Sequence, residues 1–268
     1  MAADVFDLVV LGGGSGGYAC ALRASQLGLS VALIEGGKLG GTCLHRGCIP
    51  TKALLHAGEI ADNTREAGDF GVLAQFNGID MTGVNTYKDG VIGKLYKGLQ
   101  GLVKSRNVNF IEGYGKVTSA NTVEVNGVTY TGKNLVLATG SYAKSLPGLA
   151  IDGKKIITSD HAIGLDYIPK SVIVLGGGVI GCEFASVWKS FGADVRIIEG
   201  LPHLVPLEDE SSSKLLERAY RKRGINFEVG VRFSGVSESA TGIKVTLEDG
   251  RDFEADILLV AVGRGPSS

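Results

Sequence analysis

The chain has 268 residues, a formal net charge of −1 and 44% hydrophobic residues. This length suits roughly two domains of ~100–200 residues each, and the near-neutral charge argues against a nucleic-acid or anionic-membrane partner. No apolar run approaches the ~20 residues that cross a bilayer. The first strand is expected within a few residues of Met1, so we predict no signal or transit peptide and a cytoplasmic, reducing location.

The first half of the chain begins with a strand, a glycine loop and a helix. A continuous apolar run at 8–11 predicts a buried parallel strand, and SVALIE at 30–35 predicts a second strand that ends in an acid. Helices are expected over about 51–63 and 87–107. Short strands follow, with a hairpin turn at 126–127, and NLVLATG is expected to close this part as a buried strand.

The second half repeats this order of elements. SVIVLGGGVIGCEFASVWKSFGADVRIIE again predicts a strand, a glycine loop, a helix and a strand that ends in an acid, and a helix at 211–223 and β structure at 226–253 follow. The repeat predicts an α/β fold with two Rossmann-like dinucleotide-binding domains, each three-layered with a β-meander segment. We place the domains at 1–150 and 151–268.

Each half contains a G-x-G-x-x-G motif followed eighteen residues later by a glutamate. The motifs are Gly12, Gly14 and Gly17 with Glu35, and Gly176, Gly178 and Gly181 with Glu199. The first glycine permits a tight turn, the second lets a pyrophosphate approach the backbone, and the third lets helix and strand pack closely. The glutamate can accept hydrogen bonds from a ribose diol. At Glu199 it would also repel a 2′-phosphate, which favours NAD over NADP.

Cys43 and Cys48 form the one close pair among four cysteines. In a regular helix their Cα atoms would lie about 8.7 Å apart, too far for a disulfide, so a bridged pair needs a turn or a distorted helix at Gly47 or Pro50. Three interpretations remain: a structural pair, a metal site with His45 and His56, and a redox pair beside a bound dinucleotide. Cys20 and Cys182 are expected to be packing residues on helices.

The stretch GGTCLHRGCIPTK resembles the active-site segment of the class I flavoprotein disulfide reductases. The resemblance covers essentially the whole chain, in the order first glycine motif, Cys-x4-Cys, ATG strand and second glycine motif. Within this family the chain is most similar to the dihydrolipoamide dehydrogenases. Glutathione, mycothione and mercuric reductases are alternatives, but many of these relatives use NADPH and have basic residues where this chain has RIIEG.

The resemblance implies FAD at the first motif, NAD at the second, no metal, and a Cys43–Cys48 redox disulfide. Cys43 would exchange with the substrate, Cys48 would lie against the flavin, and Lys52 would pair with Glu183 near the reactive flavin nitrogen. Further cofactor contacts are implied at Gly41, Thr42, Lys52, Gly115, Thr139, Gly140 and Ser141 for FAD and at Gly263 for NAD. The implied reaction oxidises dihydrolipoamide, free or on a lipoyl domain, in a homodimer that serves a 2-oxo acid dehydrogenase complex.

The chain departs from the family at its end, VGRGPSS, where family members continue into a dimer-interface domain with a His-x4-Glu base pair. His203 and Glu208 have this spacing, but they directly follow Glu199 and lack the proline that follows the family's histidine, so we do not assign them. A positioned histidine base contributes ~10²–10⁴-fold to rate. We therefore expect the chain to be a fragment that is weak or inactive alone, or only a dinucleotide-binding module.

Overall fold

The computed structural model describes residues 5–240 and 242–267. The helices are α1 Ser15–Gln26, α2 Gly41–Arg46, α3 Cys48–Glu66, α4 Met81–Ser105, α5 Ser159–Ala162, α6 Val179–Phe191 and α7 Glu210–Lys222, with a 3₁₀ turn at Ala67–Phe70. The strands are β1 Val5–Leu11, β2 Val31–Glu35, β3 Asn109–Glu112, β4 Gly115–Ser119, β5 Thr122–Val125, β6 Val128–Leu137, β7 Ser141–Ala143, β8 Ile156–Ile157, β9 Ser171–Leu175, β10 Asp194–Ile198, β11 Asn226–Glu228, β12 Phe233–Glu238, β13 Ile243–Leu247, β14 Asp252–Ala255, β15 Ile257–Val260 and β16 Arg264–Pro266.

The described residues divide into two compact units. Unit 1 contains 5–50, 89–142 and 266–267, and unit 2 contains 51–88 and 143–265. A single boundary at residue 150 differs from this division, because most of α3 belongs to unit 2, where Leu54 is part of the hydrophobic core. That residues 1–150 bind FAD and residues 151–268 bind NAD stays a prediction.

Unit 1 is built on a six-stranded sheet in the order β3-β2-β1-β6-β5-β4. Strands β3, β2, β1 and β6 run parallel, and β6, β5 and β4 form an antiparallel meander. Successive residues of β1 alternate between the two faces: Leu8 and Val10 pack into one core, and Val9 and Leu11 pack into the other with the meander. Since both faces are covered, β1 has a continuous apolar sequence rather than an alternating one.

Unit 2 repeats the arrangement with a five-stranded parallel sheet, β11-β10-β9-β15-β8, and a separate antiparallel meander, β12-β13-β14. Val172 and Val174 of β9 face the helices, and Ile173 and Leu175 face the meander. Helices, parallel sheet and meander give three layers. The predicted fold class is therefore confirmed.

Local structure agrees with the sequence in the turns and differs in the helices. Asn126 and Gly127 both have positive φ, 51° and 79°, as a two-residue hairpin turn requires. Helices α3 and α4 both start earlier than expected, at Cys48 and Met81. Pro50 lies in the first turn of α3, where a missing backbone N–H leaves no helical hydrogen bond unmade. Among the described residues, we find no helix with the length and apolar character to cross a membrane.

Candidate functional site

The first glycine loop lies between β1 and α1, and its three motif glycines have different environments. Gly12 has φ +107°, and a Cβ there would lie 2.1 Å from Ala138 O. A Cβ on Gly17 would lie 1.7 Å from Gly12 O, whereas the nearest atom to a Cβ on Gly14 would be Gly41 Cα at 3.8 Å. Packing of the protein itself therefore requires the first and third glycines. The middle glycine instead faces space that a ligand can approach.

The second glycine loop, between β9 and α6, has the same geometry. Gly176 has φ +106° and a Cβ there would lie 2.4 Å from Ala261 O, while a Cβ on Gly181 would lie 2.0 Å from Gly176 O. A Cβ on Gly178 would meet no described atom within 4 Å. Gly14 and Gly178 are the N-caps of α1 and α6, so each open position lies at a helix N-terminus, which attracts anionic groups. Both loops therefore fit a pyrophosphate.

Each motif glutamate supports its own loop, a role that the sequence did not reveal. Glu35 accepts hydrogen bonds from Gly13 N at 2.6 Å and Gly37 N at 2.7 Å. Glu199 accepts them from Gly177 N at 2.6 Å and Leu201 N at 2.8 Å. A carboxylate oxygen can accept more than one hydrogen bond, so ribose hydroxyls remain possible donors to both residues. The glutamates therefore order the loops as well as offering sites to a ribose.

A cavity of about 780 Å³ lies at the first glycine loop, within the ~300–1,000 Å³ common for ligand sites. Nine residues that the sequence predicted as cofactor contacts line it: Gly12, Gly14, Glu35, Gly41, Thr42, Gly115, Thr139, Gly140 and Ser141. Gly17 does not line it, because that glycine packs against the loop. Arg46 and Tyr114 also line the cavity. Arg46 lies within the GGTCLHRGCIPTK stretch but was given no role there, and Tyr114 belongs to no motif, so sequence reasoning missed both.

A smaller cavity of about 280 Å³ lies at the second glycine loop and includes Gly178 and Glu199 in its lining. The other predicted contacts do not line this cavity. Gly176 and Gly181 pack against the protein itself, and Gly263, with φ +109°, lies next to the lining residue Val262 in the sequence. Glu208 adds a second carboxylate to the lining.

Val205 also lines this second cavity and has φ 44°, an unusual conformation for a β-branched residue. Its N–H donates to Gly177 O at 2.7 Å, so the strained residue is tied directly to the glycine loop. A positive φ at valine has no sequence signature, and sequence reasoning could not have found it.

The cysteine pair lies at a break between two helices. Helix α2 ends at Arg46, Gly47 adopts φ −139° and ψ −110°, and α3 begins at Cys48. A Cβ on Gly47 would lie 3.1 Å from Thr42 O. The segment is therefore interrupted rather than one regular helix, and such an interruption is what a disulfide between the two cysteines requires. The interruption lies at Gly47 rather than at Pro50. Cys43 is partly buried and Cys48 is exposed.

Lys52 and Glu183, which are 131 residues apart in sequence, form an ion pair in unit 2. Lys52 Nζ lies 2.5 Å from Glu183 Oε1, and the side chains are 59% and 22% exposed. Lys52 lies one helical turn after Cys48 on α3, and Glu183 lies on α6, two residues after the last motif glycine. The structure therefore brings the two residues together, and their position relative to a flavin stays a prediction.

The other thiols and histidines have ordinary environments. Cys182 is buried and donates to Gly177 O at 3.3 Å, and burial raises the pKa of its thiol to about 12, so it stays protonated at neutral pH. Cys20 packs against the unit 1 core. His45 contacts Leu39 O at 2.9 Å, and His56 contacts Glu59 at 3.0 Å. Within 5–240 and 242–267, no group of three or more His, Cys, Asp or Glu side chains is arranged to hold a metal ion.

Comparisons with known proteins agree with this geometry. The profile of the pyridine nucleotide-disulphide oxidoreductase family matches residues 6–268. Leghemoglobin reductase from Vigna unguiculata is 41% identical over 275 residues, covering 98% of this chain and 53% of the relative. Dihydrolipoyl dehydrogenase from Bacillus subtilis (strain 168) is 39% identical over 280 residues, covering 98% and 59%. The chain thus spans about half the length of the curated relatives it matches.

Solved structures show the same similarity. LpdA from Mycobacterium tuberculosis superposes with a TM-score of 0.87 at 26% identity, covering 97% of this chain and 59% of that one. The Cu(II) complex of the HOCl-induced flavoprotein disulfide reductase RclA from Escherichia coli gives 0.82 at 25% identity, covering 99% and 58%. The chain belongs to the pyridine nucleotide-disulphide oxidoreductases, a family whose dihydrolipoyl dehydrogenases use FAD and NAD.

Proposed function

We propose that this chain is the dinucleotide-binding and disulfide-bearing part of a dihydrolipoamide dehydrogenase. FAD binds in the unit 1 cavity, and NAD binds at the second glycine loop in unit 2. The observation that carries this proposal is the single cavity of about 780 Å³ lined by nine of the predicted contact residues. Its lining includes Thr42 and Arg46, which lie on either side of Cys43 in the sequence. The similarity to dihydrolipoyl dehydrogenases supports the same function.

In the proposed reaction the cysteine pair begins as a disulfide. A thiolate of the substrate dithiol attacks Cys43 Sγ, which forms a mixed disulfide and releases Cys48 as a thiolate. The second substrate thiol then attacks the substrate sulfur of the mixed disulfide, so that the substrate leaves as a disulfide and Cys43 is released. The pair has now gained two electrons. Bound FAD supplies the route by which these electrons reach NAD⁺ as a hydride.

In this proposal the role of Lys52 and Glu183 is to place a positive charge close to Cys48. An exposed ion pair contributes only about 0–1 kcal/mol to stability, so stability alone does not account for a pairing between α3 and α6. Glu183 instead holds the Lys52 ammonium in one place, one turn after Cys48. A fixed cation at that point would favour a thiolate on Cys48 and a negative charge on the neighbouring flavin.

The spectrum of the purified chain, reconstituted with FAD and then treated anaerobically with NADH, tests the proposal. We expect a protein-bound flavin spectrum that NADH bleaches, because both dinucleotide sites are present in the chain. Bound flavin that dithionite reduces and NADH does not would instead support a non-catalytic binding module. A chain that binds neither nucleotide would contradict the proposal.

The lining of the second cavity predicts that NADH binds more tightly than NADPH. Glu199 and Glu208 both line it, and its described lining contains no lysine or arginine to bind a 2′-phosphate. Glu208→Lys should reduce the preference about tenfold, or about 1.4 kcal/mol, because it replaces repulsion with attraction. Glu199→Gln should weaken the binding of both NADH and NADPH, because the carboxylate also accepts hydrogen bonds from Gly177 N and Leu201 N and so orders the loop.

Titrations of the three proteins with NADH and NADPH, followed by tryptophan fluorescence, measure this preference. Trp188 is the only tryptophan and lies on α6. Equal affinity of the unmodified chain for the two nucleotides would contradict the assignment of Glu199 as a discriminating residue.

We further propose a lipoyl group as the substrate, a homodimer as the working form and a 2-oxo acid dehydrogenase complex as the partner. The similarity to dihydrolipoyl dehydrogenases supports all three. A cytoplasmic location is also part of the proposal, although the plant relatives include proteins named mitochondrial. The name of the relative leghemoglobin reductase suggests an alternative in which leghemoglobin, rather than a lipoyl group, exchanges electrons with the protein. Turnover assays with lipoamide and with leghemoglobin would distinguish the two.

A further inference from the structure

One side chain at the end of α7 joins three helices of unit 2. Arg223 Nη1 donates to Ser186 Oγ at 2.6 Å, and Nη2 donates to Ser190 Oγ at 2.8 Å and to Asp62 Oδ2 at 3.2 Å. Ser190 Oγ donates to the same Asp62 oxygen at 2.6 Å. Ser186 and Ser190 belong to α6 and Asp62 belongs to α3. The guanidinium of Arg223 therefore connects α3, α6 and the end of α7.

Arg65 completes the cluster from α3. Its Nη1 donates to Asp62 Oδ1 at 2.8 Å and to Ser190 O at 2.7 Å. The side chains of Asp62, Arg65 and Arg223 are each only about one-third exposed, and Ser190 is buried. Hydrogen bonds between ionised groups are stronger than neutral ones, and partial burial reduces their screening by solvent. We call Asp62, Arg65, Ser190 and Arg223 the α3–α6 clamp.

The backbones of α3 and α6 approach closely beside the clamp. A Cβ on Gly58 would lie 2.9 Å from Ser190 Cβ, so there is no room between the helices at this point. Leu54 of α3 and Trp188 of α6 share the same buried core. The two helices therefore approach closely at Gly58 and Ser190 and contribute side chains to the same core.

The clamp and the Lys52–Glu183 pair join α3 and α6 at two separate points. Lys52 and Asp62 are ten residues apart, or about 15 Å along α3, and Glu183 and Ser190 are seven apart, or about 10 Å along α6. Two attachment points this far apart fix both the sliding and the tilt of one helix on the other. The Lys52–Glu183 pair is too exposed to fix the register by itself.

We propose that Arg223 is a positioning residue that, through Asp62 and Ser190, holds α3 in the register at which Lys52 meets Glu183. This inference rests on the proposed function for its significance, since Lys52 follows the redox pair. The geometry itself depends on no cofactor. Loss of the clamp would let α3 shift on α6 and would loosen the distant ion pair, although Arg223 touches neither of its members.

Acetylation of Lys52 by N-acetoxysuccinimide, followed residue by residue with mass spectrometry, tests the inference without flavin or turnover. An amine held by a carboxylate reacts more slowly than a released one. Glu183→Gln should therefore speed acetylation of Lys52 about two- to fivefold, which corresponds to an exposed pair. Arg223→Gln should give part of this increase, and Arg223→Lys should give less. The double variant should be no faster than Glu183→Gln alone, because both changes act through one contact.

Arg221→Gln is the matched control, because Arg221 lies on the same helix, is 62% exposed and pairs with Glu217. It should leave Lys52 labelling unchanged. Lys214, paired with Glu210 on α7, reports general loosening and should label equally in all variants. If Arg223→Gln is too unstable, Ser190→Ala replaces it. Unchanged Lys52 labelling in a folded clamp variant, additive effects in the double variant, or no response to Glu183→Gln would overturn the inference.

Discussion

Gly17→Ala should destabilise unit 1 and abolish FAD binding, the largest effect that we expect from any single added methyl group. The new Cβ would lie 1.7 Å from Gly12 O, a backbone atom that cannot move without opening the β1–α1 turn. Overpacking in cores typically costs ~1–3 kcal/mol, and a clash with backbone belongs at the upper end of that range. Thermal unfolding with and without FAD measures both losses.

Two neighbouring glycines provide matched controls for this prediction. Gly16 is exposed on α1, and a Cβ there would meet nothing within 4 Å, so Gly16→Ala should leave stability unchanged or raise it by up to ~1 kcal/mol. Gly14→Ala should keep the fold, because its nearest neighbour would be 3.8 Å away, yet it should weaken FAD binding. If Gly14→Ala bound FAD normally, the pyrophosphate would not approach the loop at this glycine.

Cys43→Ser should retain FAD and lose all thiol–disulfide exchange with lipoamide. The side chain is not part of the cavity lining, so its replacement leaves the FAD contacts in place. The sulfur that forms the mixed disulfide is removed, and a serine hydroxyl cannot replace it. FAD affinity and lipoamide-dependent oxidation or reduction of the flavin, measured in the same preparation, check the two parts of the prediction.

Cys48→Ser is the informative partner of that variant. After reduction and treatment with a monothiol disulfide, it should accumulate a stable mixed disulfide at Cys43, because the Cys48 thiol that would release the monothiol is gone. Lipoamide would not be trapped in this way, because its own second thiol expels it from Cys43. Mass spectrometry of the intact chain would detect this adduct. Adduct formation in Cys43→Ser, or at Cys20 or Cys182, would show that the roles of the two cysteines are assigned wrongly.

The sequence predicted the parts of this structure that follow from periodicity and from glycine placement. The continuous apolar runs of β1 and β9, the two glycine motifs and their glutamates all lie where their patterns indicated, because each pattern has one simple packing solution. The Asn126-Gly127 turn is a second example, since both residues tolerate positive φ. These features are local, so a short window of sequence contains the information.

The sequence did not predict features that depend on distant parts of the chain. The membership of α3 in unit 2 depends on Leu54 and on the contact of Gly58 with Ser190, which only the folded chain brings together. The positive φ of Val205 and the cluster around Arg223 likewise have no local signature. Lys52 and Glu183 were paired through the family resemblance rather than from their own sequence context.

The central claim is that the sulfurs of Cys43 and Cys48 exchange electrons with a flavin bound at the first glycine loop. The most direct measurement is the visible spectrum of the FAD-loaded chain during anaerobic addition of one equivalent of a dithiol. We expect a new long-wavelength absorption band, from Cys48 thiolate against oxidised flavin, that is missing in Cys48→Ser. A flavin spectrum that stays unchanged while the dithiol reduces the disulfide would contradict the claim.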